Sequence, residues 1–253
     1  MFDRCSTVSV MARPNSGRRR ALGAAVLVVV LVAASGCASR GQTVVDSAQF
    51  AEAMELLTRP LPGDFAALYG LRVARSGGLR LAVVTAGDEG RLTISEPFGG
   101  AVSLTAWSGR GPAVFFDMDE GCRREVVDLE EVLGVGALPL SQAVRLLGGR
   151  LPVIPGDEVV LDSDGAIDVR GAGWAARIRL SQEPWRVVEV SELGPVGGAG
   201  WHIELSSHAS SVPGTIRLEN SDGRWAELEL TRLEWPQQAS LPELPVFEPC
   251  AEW

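Results

Sequence analysis

The side chains able to do chemistry are few: two histidines, four cysteines and short runs of carboxylates, in a chain without a single lysine. His202 sits in Trp201-His202-Ile203-Glu204-Leu205, where Trp201, Ile203 and Leu205 share one face of a strand and His202 shares the other, wet face with Glu204. A histidine base needs a nucleophile, and no Gly-x-Ser-x-Gly elbow is present. A phosphate-cradling P-loop is excluded because it requires lysine. Asp162, Asp164 and Asp168 fall loosely at calcium-loop spacing, but the terminal glutamate of such a loop is missing, and they read as turn residues. Asp117, Asp119 and Glu120 precede Gly121 in another turn; a carboxylate pair needs a separation that only folding sets. No catalytic constellation, cofactor motif or metal-spaced cluster emerges, so the expectation is a protein that is not an enzyme.

The most informative cysteine is Cys37. Residues 1–20 hold five arginines against Asp3, and residues 21–34 carry no polar side chain. That run is shorter than the roughly 20 residues of a membrane-spanning helix and matches the basic-then-apolar pattern of an export signal. The small residues that follow, Ala34-Ser35-Gly36-Cys37, resemble a lipobox, although Ala34 stands where Leu or Val is usual. Residues 1–36 are therefore expected to be a signal peptide, Cys37 the lipidated first residue of the mature chain, and residues 37–45 a tether. Met11 is an alternative start, since residues 11–37 read as a complete signal. Without residues 1–36 the chain keeps 18 basic and 31 acidic residues, a net charge of −13. An acidic domain of this kind excludes nucleic acid as a partner and gives no electrostatic hold on anionic headgroups, so the lipid must do the anchoring. Of the remaining cysteines, Cys122 and Cys250 could pair in an oxidising compartment or stay as two thiols.

The elements that position these residues follow from periodicity. Phe50, Met54 and Leu57 recur at helical spacing until Pro60 and Pro62 intervene. From about residue 65 to 127 the period becomes two, with turns at Ser76-Gly77-Gly78, Gly87-Asp88-Glu89-Gly90, Gly99-Gly100 and Ser108-Gly109-Arg110-Gly111. A helical interlude interrupts the strands. Asp128-Leu129-Glu130-Glu131 has the form of a capping box, and Val144, Leu146 and Leu147 belong to a second short helix closed by Gly148-Gly149. Strands resume near residue 158 and run to 235, leaving a proline-rich arm over residues 236–253. The pattern predicts one antiparallel sheet in a domain over residues 46–235, with one helix before it and two inserted midway. Such a sheet must cover its apolar face, and periodicity alone leaves open whether the helices fill that face or roof a cavity.

The segment Thr93-Ile94-Ser95-Glu96-Pro97-Phe98-Gly99-Gly100-Ala101-Val102-Ser103-Leu104 resembles the LolB family of outer-membrane lipoprotein receptors, which carries a strand, an x-Pro-apolar-Gly turn and a second strand at this point. Gly136-Ala137-Leu138-Pro139-Leu140-Ser141 and Leu147-Gly148-Gly149-Arg150-Leu151-Pro152 follow in the family's order, and Leu233-Glu234-Trp235 is similar to its closing strand. The resemblance spans residues 45–235 and rests on the order of short motifs. It implies an α+β, mainly β fold: an incomplete antiparallel barrel, a curved sheet of about eleven strands, with short helices as a lid over an apolar cavity. It further implies that the cavity holds acyl chains of client lipoproteins delivered by a periplasmic LolA-like carrier. Pro97, Phe98 and Gly99 would form a protruding membrane-insertion loop. Lining candidates are Leu71, Val73, Leu81, Val83, Leu92, Ile94, Phe116, Leu133, Leu147 and Ile178. The expected protein is a monomer anchored to the outer membrane and facing the periplasm, in keeping with Ala38 rather than aspartate after Cys37. Two other readings stand beside it: a structural or assembly lipoprotein of the same fold without lipid transfer, and, more weakly, an envelope hydrolase using acidic residues.

Overall fold

A computed structural model describes residues 47–251 except Pro62, Arg75, Arg110, Gly111, Pro155, Ser163, Asp164, Ala172, Gln182, Glu183, residues 194–199 and Ser210. The expected signal peptide, Cys37 and the expected tether lie outside the described residues. A helix, α1 (Ser47–Thr58), precedes six strands: β1 (Phe65–Val73), β2 (Ser76–Ala86), β3 (Glu89–Ser95), β4 (Ala101–Ser108), β5 (Ala113–Asp117) and β6 (Cys122–Val126). Helices α2 (Glu130–Leu133) and α3 (Leu140–Leu147) follow. The remaining strands are β7 (Glu158–Leu161), β8 (Ile167–Gly171), β9 (Trp174–Ser181), β10 (Arg186–Glu192), β11 (Trp201–Ser206), β12 (Thr215–Asn220), β13 (Trp225–Glu234) and the two-residue β14 (Glu248–Pro249).

The fourteen strands among the described residues form one unclosed sheet in the order β14-β6-β5-β4-β3-β2-β1-β13-β12-β11-β10-β9-β8-β7, three more than the family resemblance implies. The additional pairings include the short hairpin β7–β8 and the parallel bridge of β14 to β6. Every neighbour pair except β14–β6 is antiparallel, and β1 pairs with β13 to join the two halves of the meander. This topology explains where the helices go. β6 and β7 lie at opposite sides of the sheet, so residues 127–157 must cross from one side to the other, and they carry α2 and α3 across the apolar face.

That face is the core. Phe65, Ala67, Tyr69 and Leu71 of β1, Leu81 and Val83 of β2, Leu92 and Ile94 of β3, and Ile203, Ile216, Leu218 and Leu228 of β11–β13 pack with Leu129, Leu138, Leu140, Val144, Leu146 and Leu147. Gly90 shows how tight the fit is: a Cβ there would stand 1.8 Å from the Trp107 ring. At the end of α3, Gly149 adopts φ +73, and a Cβ would meet the Ser211 carbonyl at 2.1 Å. Only glycine lets the helix stop against the β11–β12 loop there.

The capping box forms with a shift of one residue. Asp128 Oδ1 accepts the Glu131 amide at 3.1 Å, while Glu131 Oε2 accepts the Val127 amide at 2.6 Å. Burial raises the Asp128 pKa, the Glu131 amide lowers it, and the charges of Glu131 and Glu130 raise it further. A carboxylate whose folded pKa is raised destabilises the fold when ionised, so stability falls as pH rises through that pKa. Asp128→Asn keeps the capping oxygen and removes the charge. It should raise stability by about 0.5 kcal/mol at pH 7 and by nothing near pH 3, where Asp128 is already neutral. Paired chemical denaturation at the two pH values checks this.

The outer face carries a second, smaller cluster: Leu104, Ala106 and Phe116, covered by Val114, Met118 and Phe247. Phe247 reaches it from the C-terminal arm, 6.2 Å from the Phe116 ring. The arm is fixed by the Cys122–Cys250 disulfide, by the Arg123 guanidinium donating to the Phe247 carbonyl at 2.9 Å, and by the Ala239 amide donating to Asp64. The Ala239 and Gly87 amides hold the Asp64 carboxyl below its ordinary pKa.

Candidate functional site

The apolar interface between sheet and helices contains little empty space. A small gap of about 20 Å³ in this interface is lined by Leu81, Leu92, Leu129, Leu133, Leu146 and Leu147 among others. This is room for about one water, so the interior is a packed core rather than a preformed chamber. Tyr69, fully buried on β1, donates its hydroxyl to the Leu147 carbonyl at 3.4 Å, and burial raises its pKa.

Toward one rim the packing loosens into an open groove of about 360 Å³. Leu71 and Val73 of β1, Leu79 of β2, Ile94 of β3, Phe115 of β5, and Val132 and Leu133 of α2 supply its apolar walls. Val102 joins them because the β3–β4 register slips between Ile94 and Ser95, a bulge that turns it inward. Ser103, Asp117, Asp119 and Glu120 complete the lining. Leu133 borders both the groove and the inner void, so α2 is the wall between them.

The strand directions place the β1–β2, β3–β4, β5–β6 and β12–β13 turns at this same rim. The β3–β4 turn carries Phe98, whose side chain is fully exposed at 102%. Pro97 and Gly99 flank it, and the Gly99 amide donates to the Glu96 carbonyl at 3.4 Å.

Helix α2 is held down from the β12–β13 turn. Arg224 donates to the Gly134 carbonyl at 2.6 Å and to Glu130 at 2.8 Å, and also binds Asp222. Beside it the buried Asn220 accepts the Gly136 amide at 2.9 Å. Helix α3 is tied to the end of α1 by Arg145, which donates to the carbonyls of Leu151 and Thr58, each at 2.9 Å. Burial lowers the Arg145 pKa, as does the nearby Arg150 charge.

The opposite end, at the β2–β3 and β4–β5 turns, has two larger clefts of about 630 and 540 Å³ that share Trp107, Gly109, Ser141 and Ile154. Their linings mix Trp174, Gln142 and Asp157 in one, and Asp64, Glu89 and Arg145 in the other. The larger cleft also has apolar walls, from Trp107, Val126, Leu140, Ile154 and Trp174, but among the described residues no exposed aromatic stands at its rim as Phe98 does beside the groove.

The sequence-derived lining residues are distributed unevenly. Leu81, Leu92, Leu133 and Leu147 border the inner void; Leu71, Val73, Ile94 and Leu133 border the groove. Val83 and Ile178 are fully buried members of the same core and border neither. Phe116 is a correction: it faces the outer side of the sheet, under Phe247, and its neighbour Phe115 is the ring that lines the groove. The two phenylalanines are adjacent, and the phase of a five-residue strand cannot be read when both its faces are covered. Leu79, Phe115, Val132, Leu129 and Leu146 were open to detection only through the strand register and the crossing path of α2 and α3.

The remaining candidates lie elsewhere. His202 points away from the core between Glu189 and Glu204, as its strand phase predicts. His208 hydrogen-bonds the Val187 carbonyl from the β11–β12 loop, and burial lowers its pKa. Asp162 and Asp168 both pair with Arg177, and Asp164 lies outside the described residues.

No protein-family model and no curated protein matches this chain. Solved structures do. A LolA superfamily protein from Nitrosomonas europaea superposes with a TM-score of 0.50 at 13% identity, covering 77% of this chain and 92% of the other. A putative outer-membrane lipoprotein-sorting protein domain from Vibrio parahaemolyticus gives 0.51 at 10% identity, covering 76% and 93%. At such identities the likeness is one of fold: a large, curved, unclosed sheet with few helices, the LolA-like architecture.

Proposed function

We propose that this protein is an envelope lipoprotein that binds acyl chains of client lipoproteins and passes them into the membrane to which Cys37 anchors it. The observation that carries the reading is one rim where an apolar groove, a thin helical wall and a bare phenylalanine meet. The chain of a client enters beside Phe115, lifts α2, and reaches the leucine-rich interior. Each methylene removed from water contributes about 0.8 kcal/mol. A periplasmic LolA-like carrier holds the chain on similar terms, so transfer between the two is near thermoneutral, and the bilayer completes it by burying the whole chain. No covalent step is required, and the protein acts as a receptor rather than an enzyme. The LolB-like role and the outer-membrane address are supported by the Pro97-Phe98-Gly99 turn and by Ala38. They draw support also from the LolA-like fold.

The packed interior favours a second reading, in which the same fold serves as a structural or assembly lipoprotein. Two measurements separate them, the first on the full chain carrying Cys37→Ser and the second on the lipidated protein. The first reading requires saturable binding of a hydrophobic fluorophore that a long-chain fatty alcohol displaces; absence of binding hands the protein to the second. In the lipidated protein, Phe98→Glu should leave the melting temperature unchanged and reduce delivery of a lipopeptide to vesicles about tenfold, the loss expected from one unburied phenylalanine. Delivery at the wild-type rate would remove Phe98 from the mechanism.

A further inference from the structure

The polar side of the groove has a composition that acyl chains alone do not explain. Strand β4 turns two hydroxyls toward the apolar face, Ser103 and, one pleat further in, Thr105. Both are at least nine-tenths buried, at 4% and 0% exposure. Ser103 lines the groove, and the Thr105 hydroxyl beside it is buried without a hydrogen-bond partner among the described residues. A buried hydroxyl left unpaired is costly, and native structures keep such groups where something else supplies the partner. Directly across the β4–β5 pairing from Ser103 stands Asp117. Its Oδ1 is engaged by the amides of Asp119 at 2.9 Å and Glu120 at 3.0 Å. Asp117, Asp119 and Glu120 all line the groove, so its polar side carries three carboxylates. The groove lining contains no basic residue. The Arg124 guanidinium, outside the lining, stacks 5.0 Å over the Phe115 ring and donates to the Glu131 carbonyl.

We propose that the groove selects an acyl chain whose head carries a primary ammonium, with the chain against Leu71, Ile94 and Phe115 and the ammonium between Ser103 and Asp117. An ammonium has three donors and suits this acceptor set: the Asp117 carboxylate, the Ser103 oxygen and the outer carboxylates. An anionic head would meet three like charges. The proposal rests on the lipid-binding reading and adds to it the class of head accepted. Two sources share this chemistry: the free α-amine of a lipidated cysteine and the ethanolamine of a phospholipid.

The test uses the full chain carrying Cys37→Ser and three amphiphiles of one chain length, dodecylammonium, monolauroylglycerol and dodecyl sulfate, each below its micellar concentration and titrated against a bound fluorophore. The ammonium should bind about tenfold tighter than the neutral compound, as one charge-assisted contact provides, and the sulfate weaker than both. Asp117→Asn retains Oδ1 for the turn, and the exposed double variant Asp119→Asn/Glu120→Gln leaves the strand intact; each should cut the preference, the first to below about twofold. Equal binding of ammonium and neutral probes by the wild type, or a preference unmoved in both variants, overturns the proposal and leaves the lipid-binding reading standing. Failure of all three probes to bind overturns both. A diacylglyceryl-cysteine peptide with a free or acetylated amine, set against phosphatidylethanolamine and phosphatidylglycerol vesicles, then identifies the source.

Discussion

Replacing both Cys122 and Cys250 with serine is expected to lower the melting temperature by about 10 °C. The bond joins residues 128 apart in sequence, and a loop of that length restricts the unfolded chain by an amount worth about 4–5 kcal/mol in the chain-entropy description. For a domain near 200 residues each kcal/mol moves the midpoint by about 2–4 °C. The loss has a structural signature as well. The arm would leave the outer face, and Leu104, Ala106 and Phe116 would lose the cover that Phe247 provides. Strand β6 would lose its β14 neighbour and become an open edge, a site for pairing with other chains. Reducing the wild-type protein should reproduce the shift and raise its tendency to associate. A double variant that melts within 2 °C of the wild type, as estimated on the same scale, would show that the arm is held by its other contacts.

The second large effect is expected at Asn220. Its Oδ1 accepts the Gly136 amide in the linker between α2 and α3, and both residues are buried. Asn220→Ala strands that amide, at a cost of about 2 kcal/mol to the seated helix. The lifted state of α2 holds the amide in water and is spared. Its population should therefore rise about thirtyfold. If ligands enter by lifting α2, apparent affinity follows the competent fraction, and a hydrophobic fluorophore should bind correspondingly tighter while global stability falls. Hydrogen exchange at the amides of residues 130–136 reports the opening independently. Faster exchange with unchanged fluorophore affinity would separate α2 motion from binding and point to another route into the core.

How much was legible beforehand depended on which physical feature carried the information. Hairpin turns such as the one at Gly87-Asp88 and the α3 terminus at Gly148-Gly149 are local, and residue type alone marks them. Strand β1 alternates cleanly because only one of its faces is buried, so Leu71 was assigned to the core side correctly. Strand β4 defeats the same logic. Its burial is nearly continuous from Ser103 to Trp107, because helices cover one face and the C-terminal arm the other. Alternation then points both ways. The hydroxyls of Ser103 and Thr105 turn inward and Leu104 outward, the reverse of what polarity suggests, and the same ambiguity misplaced Phe116.

The cysteine of the opening motif and the exposed Phe98 illustrate the division. By itself the sequence determined the export signal and lipidation expectation at Cys37, the run of strands with a helical interlude, and the acidic surface, since these depend on residue type and short-range spacing. Tertiary structure alone decided which face each doubly covered strand presents, that α2 is the single wall between groove and core, and that the interior is filled. Those outcomes depend on side chains from opposite edges of a fourteen-stranded sheet meeting in space, and no local pattern encodes how closely they fit.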